Sequence, residues 1–521
     1  MRGFKKEKGR KYMVLIKEKL VSTSCVGKGR TNQSAEVDLV LTEDKPDVKE
    51  FLYTEAKAVV NGTEVQNGRV LVYGTVKFCP IYLATDGQIK SLSAQTTFTD
   101  VIDVLGAEQG MKADVCCKTE RVEFKNLNGR KLTAKAMLEI EASVMEETEQ
   151  EAVSQVEEEK AEVKREKFDY VKKNATVTSL FNINDQVEIS GEMPAVFEIL
   201  KADGKISNSS YKIINNKIVI KANLDTTILY TDDKERKPCF VSVSVPFTEV
   251  LEVEGITEDW NLIQNMEVCE ISCKLADDSN TRRIIDIDAL VESRTETSEN
   301  KSAELISDCF GIEKQALLTK EEIKLKQSSG EVKLQSGIRG QIEIKEMPPV
   351  SRVYNLAGKA KIQRLEQENG QIALCGVVAT ELTYISDDEN RPICSVEKEL
   401  PFKELINSLD NDNSEADLEV HVTGMSYTLS DASNIEVRGN VEIKGMITKT
   451  VNKSVITDIT MNETEGKSPE ASLTVCFVNK NDSLWDIAKR YSTSIASICE
   501  VNNLKENEMI GGKKLIVPKY R

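Results

Sequence analysis

The same ordered set of landmarks occurs three times along the 521 residues, so the fold is predicted to be three variants of one unit. Each copy opens on a proline anchor: KPDV at Lys45 to Val48, MPAV at Met193 to Val196, and MPPV at Met347 to Val350. An apolar run follows and ends in a tyrosine and acidic turn residues, which aligns Tyr82, Tyr230 and Tyr384. The segments TTFTDVI, VPFTEVL and LPFKELI then align Phe98, Phe247 and Phe402 as expected core anchors. Each copy closes on two alternating segments around a polar turn.

The period-two alternation in RRIIDIDAL and NIEVRGNVEIKG predicts hairpins with one wet face. Similar alternation precedes each proline, which suits a strand end where no ladder donor is needed. Each copy is therefore expected to be a mainly β domain of roughly 130 residues, with sandwich and barrel both open. The copies are assigned to residues 12–145, 170–296 and 327–448.

The intervening sequence has a different composition. Residues 146–169 hold ten acidic and four basic residues, which favours an exposed helix or a disordered spacer. Residues 297–326 are expected to be a helical linker, with its helix around Glu313 to Lys326, and the polar stretch 449–472 a flexible tether.

From residue 473 to 521 the periodicity turns from strand to helix and back. Leu473 to Val478 reads as a strand. In DSLWDIAKRY, Ser483 and Asp486 form a capping-box pattern, and Leu484, Ile487, Ala488 and Tyr491 fall on one helical face. Residues Ser492 to Ser494 can cap a second helix, and Lys514 to Pro518 supplies a closing strand. The overall expectation is a mainly β multidomain chain with a small α+β (βααβ) module at its C-terminal end.

Charge is unevenly placed. The formal net charge is -17, yet residues 473–521 carry +3, leaving -20 on the remainder. An acidic body disfavours a nucleic-acid backbone as partner. No run approaches the roughly 18 apolar residues of a membrane helix, so no membrane insertion is expected. The start MRGFKKEKGRKYMVLIKEKL has too short an apolar run for a secretory signal.

The twelve cysteines lack framework spacing and read as reduced thiols. His421, the sole histidine, lies in an alternating strand, and neither a phosphate loop nor a second cysteine pair accompanies Cys269 and Cys273. No catalytic residue, cofactor or metal is expected.

The C-terminal module resembles LysM: D-S-L-W-x-I-A-K-R-Y, N-N-L and the final G-x-K-L-x-V-P stand in register. Where that family usually has glycine before the aspartate, this chain has Asn481, which can adopt a left-handed backbone. Gly511 and Gly512 replace the later proline-glycine turn. The resemblance implies a groove between Asp482, Ser483 and Leu484 on one side and Met509, Ile510 and Gly511 on the other. Leu484, Trp485 and Ile510 suit either core or contact, while Lys489 and Arg490 suit either a solvated face or a basic docking surface.

The order of landmarks in the three copies resembles the SPOCS domain of spore-coat and exosporium proteins. Copy one, with Thr97 where the others have proline, departs most. SPOCS units joined to a C-terminal LysM resemble clostridial spore-coat morphogenetic proteins. That resemblance implies a non-enzymatic coat-assembly scaffold, made in the mother-cell cytosol and assembling at the forespore surface. Its LysM module would dock on stage IV sporulation protein A, the coat ATPase, or on a similar coat protein. The alternative is binding of N-acetylglucosamine polymers in peptidoglycan or cortex.

Overall fold

A computed structural model describes residues 14–157, 160–276, 281–368, 371–407, 414–463, 473–505, 508 and 510–518. Copy one contains β1 (Val14–Val40), β2 (Val48–Tyr53), β3 (Ala56–Gln66), β4 (Arg69–Phe78), β5 (Ile81–Ala84), β6 (Ile89–Ser91), β7 (Ala94–Asp103), β8 (Lys112–Asn126) and β9 (Lys131–Glu157). Copy two contains β10 (Ala161–Glu188), β11 (Val196–Ile214), β12 (Lys217–Asp232), β13 (Pro238–Glu252), β14 (Asn261–Leu275) and β15 (Ile284–Gly311). Copy three repeats that pattern with β16 (Lys314–Glu343), β17 (Arg352–Glu368), β18 (Gln371–Ile385), β19 (Ile393–Asn407), β20 (Ser414–Asp431) and β21 (Asn434–Glu463).

Within each copy two antiparallel three-stranded sheets pack face to face around one core, so the unit is a sandwich, and copy one has a further small sheet, β2-β5-β6. Sheet β1-β9-β8 covers β3-β4-β7, and the corresponding pairs are β10-β15-β14 with β11-β12-β13 and β16-β21-β20 with β17-β18-β19. Copy one carries more, shorter strands for a local reason. Pro80, lacking an N–H, stands between β4 and β5 where copies two and three have Ile228 and Leu382 inside the unbroken strands β12 and β18.

The repeated landmarks have a common physical cause. The hydroxyls of Tyr82, Tyr230 and Tyr384 donate to the carbonyls of Pro46, Pro194 and Pro348 at 3.3, 3.0 and 2.8 Å, each across 36 residues. All three rings are fully buried, and the bond satisfies their one polar atom. Burial pushes the Tyr82 and Tyr230 hydroxyls up to about 12. Of the expected phenylalanine anchors, Phe98 and Phe402 are buried and pair with Gly74 and Gly376, where a Cβ would run into the ring. Phe247 pairs with Ala222 and is half-buried.

The expected linkers are strands. In the acidic segment, residues 146–157 end β9 and residues 161–169 begin β10, and the predicted helix around Glu313 to Lys326 is the start of β16. The tether begins inside β21; residues 464–472 lie outside the described set. In these extensions β1/β9, β10/β15 and β16/β21 are two-stranded ribbons that leave their sandwiches and meet as a three-ribbon stalk. Its core takes Leu20 and Ala152 from copy one, Phe168, Tyr170, Ala303 and Leu305 from copy two, and Ile323, Leu325 and Val455 from copy three.

Each ribbon carries a register shift at the same height, between Ile16 and Lys17, Lys164 and Arg165, and Thr319 and Lys320. The extra residue on the partner strand is Ser154, Ser307 or Thr457, whose hydroxyl donates to the carbonyl of Ile16, Lys164 or Thr319 at 3.1, 3.2 and 3.5 Å. Bulges and charged residues on such edges oppose pairing with other strands.

At another meeting point of the three copies the contact is part apolar, through Tyr53, Leu200 and Tyr354, and part ionic. Buried Lys201 pairs with Asp203 and with Glu55 of copy one at 3.0 Å, while Tyr354 of copy three donates to Asp203 at 2.6 Å. Burial works against the Lys201 charge, but the two carboxylates outweigh it and raise its pKa. Lys361 reaches buried Glu139 at 3.2 Å and Arg391 reaches Glu50 at 3.1 Å, tying copy three to copy one. The copies are thus packed into one body.

Candidate functional site

The C-terminal module has the expected βααβ order: β22 (Leu473–Phe477), α1 (Leu484–Tyr491), α2 (Ile495–Asn502) and β23 (Lys514–Pro518). Its helices start where adjacent side chains satisfy their free donors. Asp486 N–H donates to Ser483 Oγ at 3.2 Å and Ser483 N–H donates to Asp486 Oδ2 at 2.9 Å, a complete capping box. Ser494 caps α2 from Ser497 N–H at 3.1 Å. Ser492 and Asn503 end the helices in left-handed conformation, with φ of 49° and 51°. Asn481 is not among the residues with positive φ; in the later turn Gly512 is, at φ 78°.

The groove residues divide by environment. Leu484, Trp485 and Ile510 are buried in the module core with Ile487, Ala488 and Ile498. Asp482 accepts from Arg490 Nη1 at 3.3 Å, so that cation is paired within the module. Ser483 is held as the cap, and Gly511 is exposed with no room for a Cβ against the Lys480 carbonyl. Met509 lies outside the described residues. Tyr491, predicted for the buried face of α1, is 36% exposed at the rim.

Trp485 and Lys489 come together on something the sequence reading did not single out, the end of β15. Trp485 Nε1 donates to Asp308 Oδ2 at 2.9 Å, and Lys489 Nζ reaches both Asp308 oxygens at 2.7 and 2.6 Å. The indole packs edge-on against Phe310, with ring centroids 5.0 Å apart. Such a pair adds about 0.5–1.5 kcal/mol beyond area burial. Burial pushes the Asp308 carboxyl up, but the bonds from Lys489 and Trp485 outweigh it and hold it below its ordinary range.

Phe310 is buried in the module core although it belongs to copy two. The head is therefore seated on the stalk, basic residues against an acidic body. The available signal was a departure between copies: counted from the bulge hydroxyl, copies one and three have Glu157 and Thr460 where copy two has Phe310.

One face of the head stays open. In β22 and β23 the paired positions Val475 and Ile516 share a face with Leu473 and Phe477, opposite the buried Cys476, Leu515 and Val517. These four are 51%, 40%, 58% and 76% exposed. They form an apolar stripe that, among the described residues, only Lys514 overlies, its Nζ 5.5 Å from the Phe477 ring centroid.

Elsewhere, His421 on β20 lies 3.4 Å from Glu419, two residues away on the same strand. All twelve cysteines are free. Among the described residues no group of three metal-ligating side chains occurs, and no helix is long and apolar enough to cross a membrane.

No curated protein and no solved structure matches the chain. Family models do match parts of it. Residues 478–518 match the LysM domain. Residues 47–127 and 195–276, in copies one and two, match the model described as SipL, SPOCS domain. Copy one, expected as the weakest likeness, is thus matched, and the match does not reach copy three. Both are binding domains without catalytic activity of their own. The chain accordingly carries two SPOCS domains of the SipL kind, a third copy of the same sandwich, and a C-terminal LysM domain.

Proposed function

We propose that this protein is a non-enzymatic scaffold for spore-envelope assembly whose LysM head docks on a coat protein at the forespore surface, after synthesis in the mother-cell cytosol. The domain content fits a sporulation-related protein with a LysM binding module. The observation that carries the docking reading is the exposed stripe of Leu473, Val475, Phe477 and Ile516 on a head otherwise seated on its own stalk. Exposed contiguous apolar surface is a mark of protein contacts. A body of three copies packed together through shared cores supports a scaffold role, because it presents the head at a fixed position.

The second reading is glycan binding in peptidoglycan or cortex. It is favoured by the LysM match and by Ser483 and Gly511, which stay exposed on the two loops of the groove.

Titration of the full-length chain with stage IV sporulation protein A and with chitin oligomers separates the two. Docking predicts saturable protein binding that Phe477→Glu weakens about tenfold or more, with the helical circular dichroism unchanged. Saturable chitin binding with none to the protein would sink the docking reading.

A further inference from the structure

A cleft of about 540 Å³ opens where the head meets the stalk, walled by β10, β15, β16 and α1. Its carboxylates are all engaged: Asp308 by Lys489 and Trp485, Glu166 by Lys453 at 2.9 Å, and Asp486 by the Ser483 cap. Its remaining cations are held less closely, Lys164 acting on Asp486 only through space. Lys164, Arg165 and Lys320 are exposed, and among the described residues none of them forms an ion pair.

From this imbalance we infer that the cleft binds an extended acidic peptide segment of a partner protein, whose carboxylates meet these three cations. The cations sit on the edge strands of two different copies, so a ligand that engages them all must bridge β10 and β16. An extended peptide with carboxylates at intervals does this. Lys164 and Arg165 lie opposite the bulge at Ser307 and are exposed in succession. Charge on an edge strand also blocks strand pairing, but Lys17 holds the same position in copy one and lies outside the cleft. A sugar stacking mode has no platform here, because the Trp485 ring is covered by Phe310 and its N–H is spent on Asp308.

The inference goes beyond the docking stripe and is tested apart from it. Full-length chain is titrated with fluorescein-labelled hexaglutamate at low and moderate salt, with anisotropy as readout. The expected result is saturable one-to-one binding that weakens with salt and that the triple variant Lys164→Glu, Arg165→Glu, Lys320→Glu lowers about tenfold or more. Lys17→Glu and Phe477→Glu should leave it unchanged, the latter separating this cleft from the apolar stripe. Absence of hexaglutamate binding, an equal loss with Lys17→Glu, or equal competition by inorganic phosphate at matched charge would each overturn the assignment.

Discussion

The head closes a core within residues 473–518 on two helices whose caps are written in neighbouring serines, with Phe310 joining it from outside. In the stalk each ribbon is two strands wide, and one such ribbon is marginal at best in water. Leu20, Phe168 and Ile323 are buried because each rests on side chains from the other two copies. Local order and shared order thus meet at Asp308, where the first is seated on the second. The contrast predicts where a perturbation will stay and where it will spread.

The largest effect should follow removal of a side chain from the shared core. Phe168→Ala is expected to cost about 3–5 kcal/mol. Hydrogen exchange should then show protection lost in β1, β9, β16 and β21 as well as in β10 and β15, and loss confined to copy two would break the comparison. Next, Leu484→Ala should cost about 2–5 kcal/mol but deprotect α1 and α2 while the stalk amides keep their rates. Ser483→Ala, which removes the α1 cap, should cost about 1 kcal/mol and fray only the first turn of α1.

The smallest effect lies at the junction. Asp308→Ala should loosen the head by about 1 kcal/mol or less, since Lys489 is part-exposed, and red-shift Trp485 emission in a Trp260→Phe background. Acid should do the same. A carboxyl held below its ordinary pKa of 3.8 lends stability that is fully present above that value and is lost as pH falls through its lowered, folded-state value. An emission change with its midpoint well above 3.8 would assign the seat to some other group.

Much of this architecture was legible. The proline, tyrosine and phenylalanine landmarks found the three copies, and the tyrosine–proline hydrogen bonds explain why those residues recur together. The helix expected near Glu313 fails for a specific reason. Ala316 and Ile323, and likewise Leu318 and Leu325, stand seven apart as on a helical face, but Ala316 and Leu318 serve one core cluster of the stalk and Ile323 and Leu325 another, on either side of the register shift at Thr319 and Lys320. The segment 146–169 was read by its charge, yet Ala152 and Val153 are wholly buried while Glu147, Glu149, Glu151, Glu157 and Glu166 are exposed. In the site, Leu484 and Ile510 went to the core, whereas Trp485 and Lys489 met a partner from the same chain.

The sequence by itself determined the threefold repetition, the strand alternation within each sandwich and the complete βααβ head, because caps, turns and periodicity act between near neighbours. Only the tertiary structure decided that the acidic connections are strands and that the head sits at Asp308 and Phe310. Burial in the stalk is shared among residues hundreds of positions apart, and no local pattern records which copy will cover which.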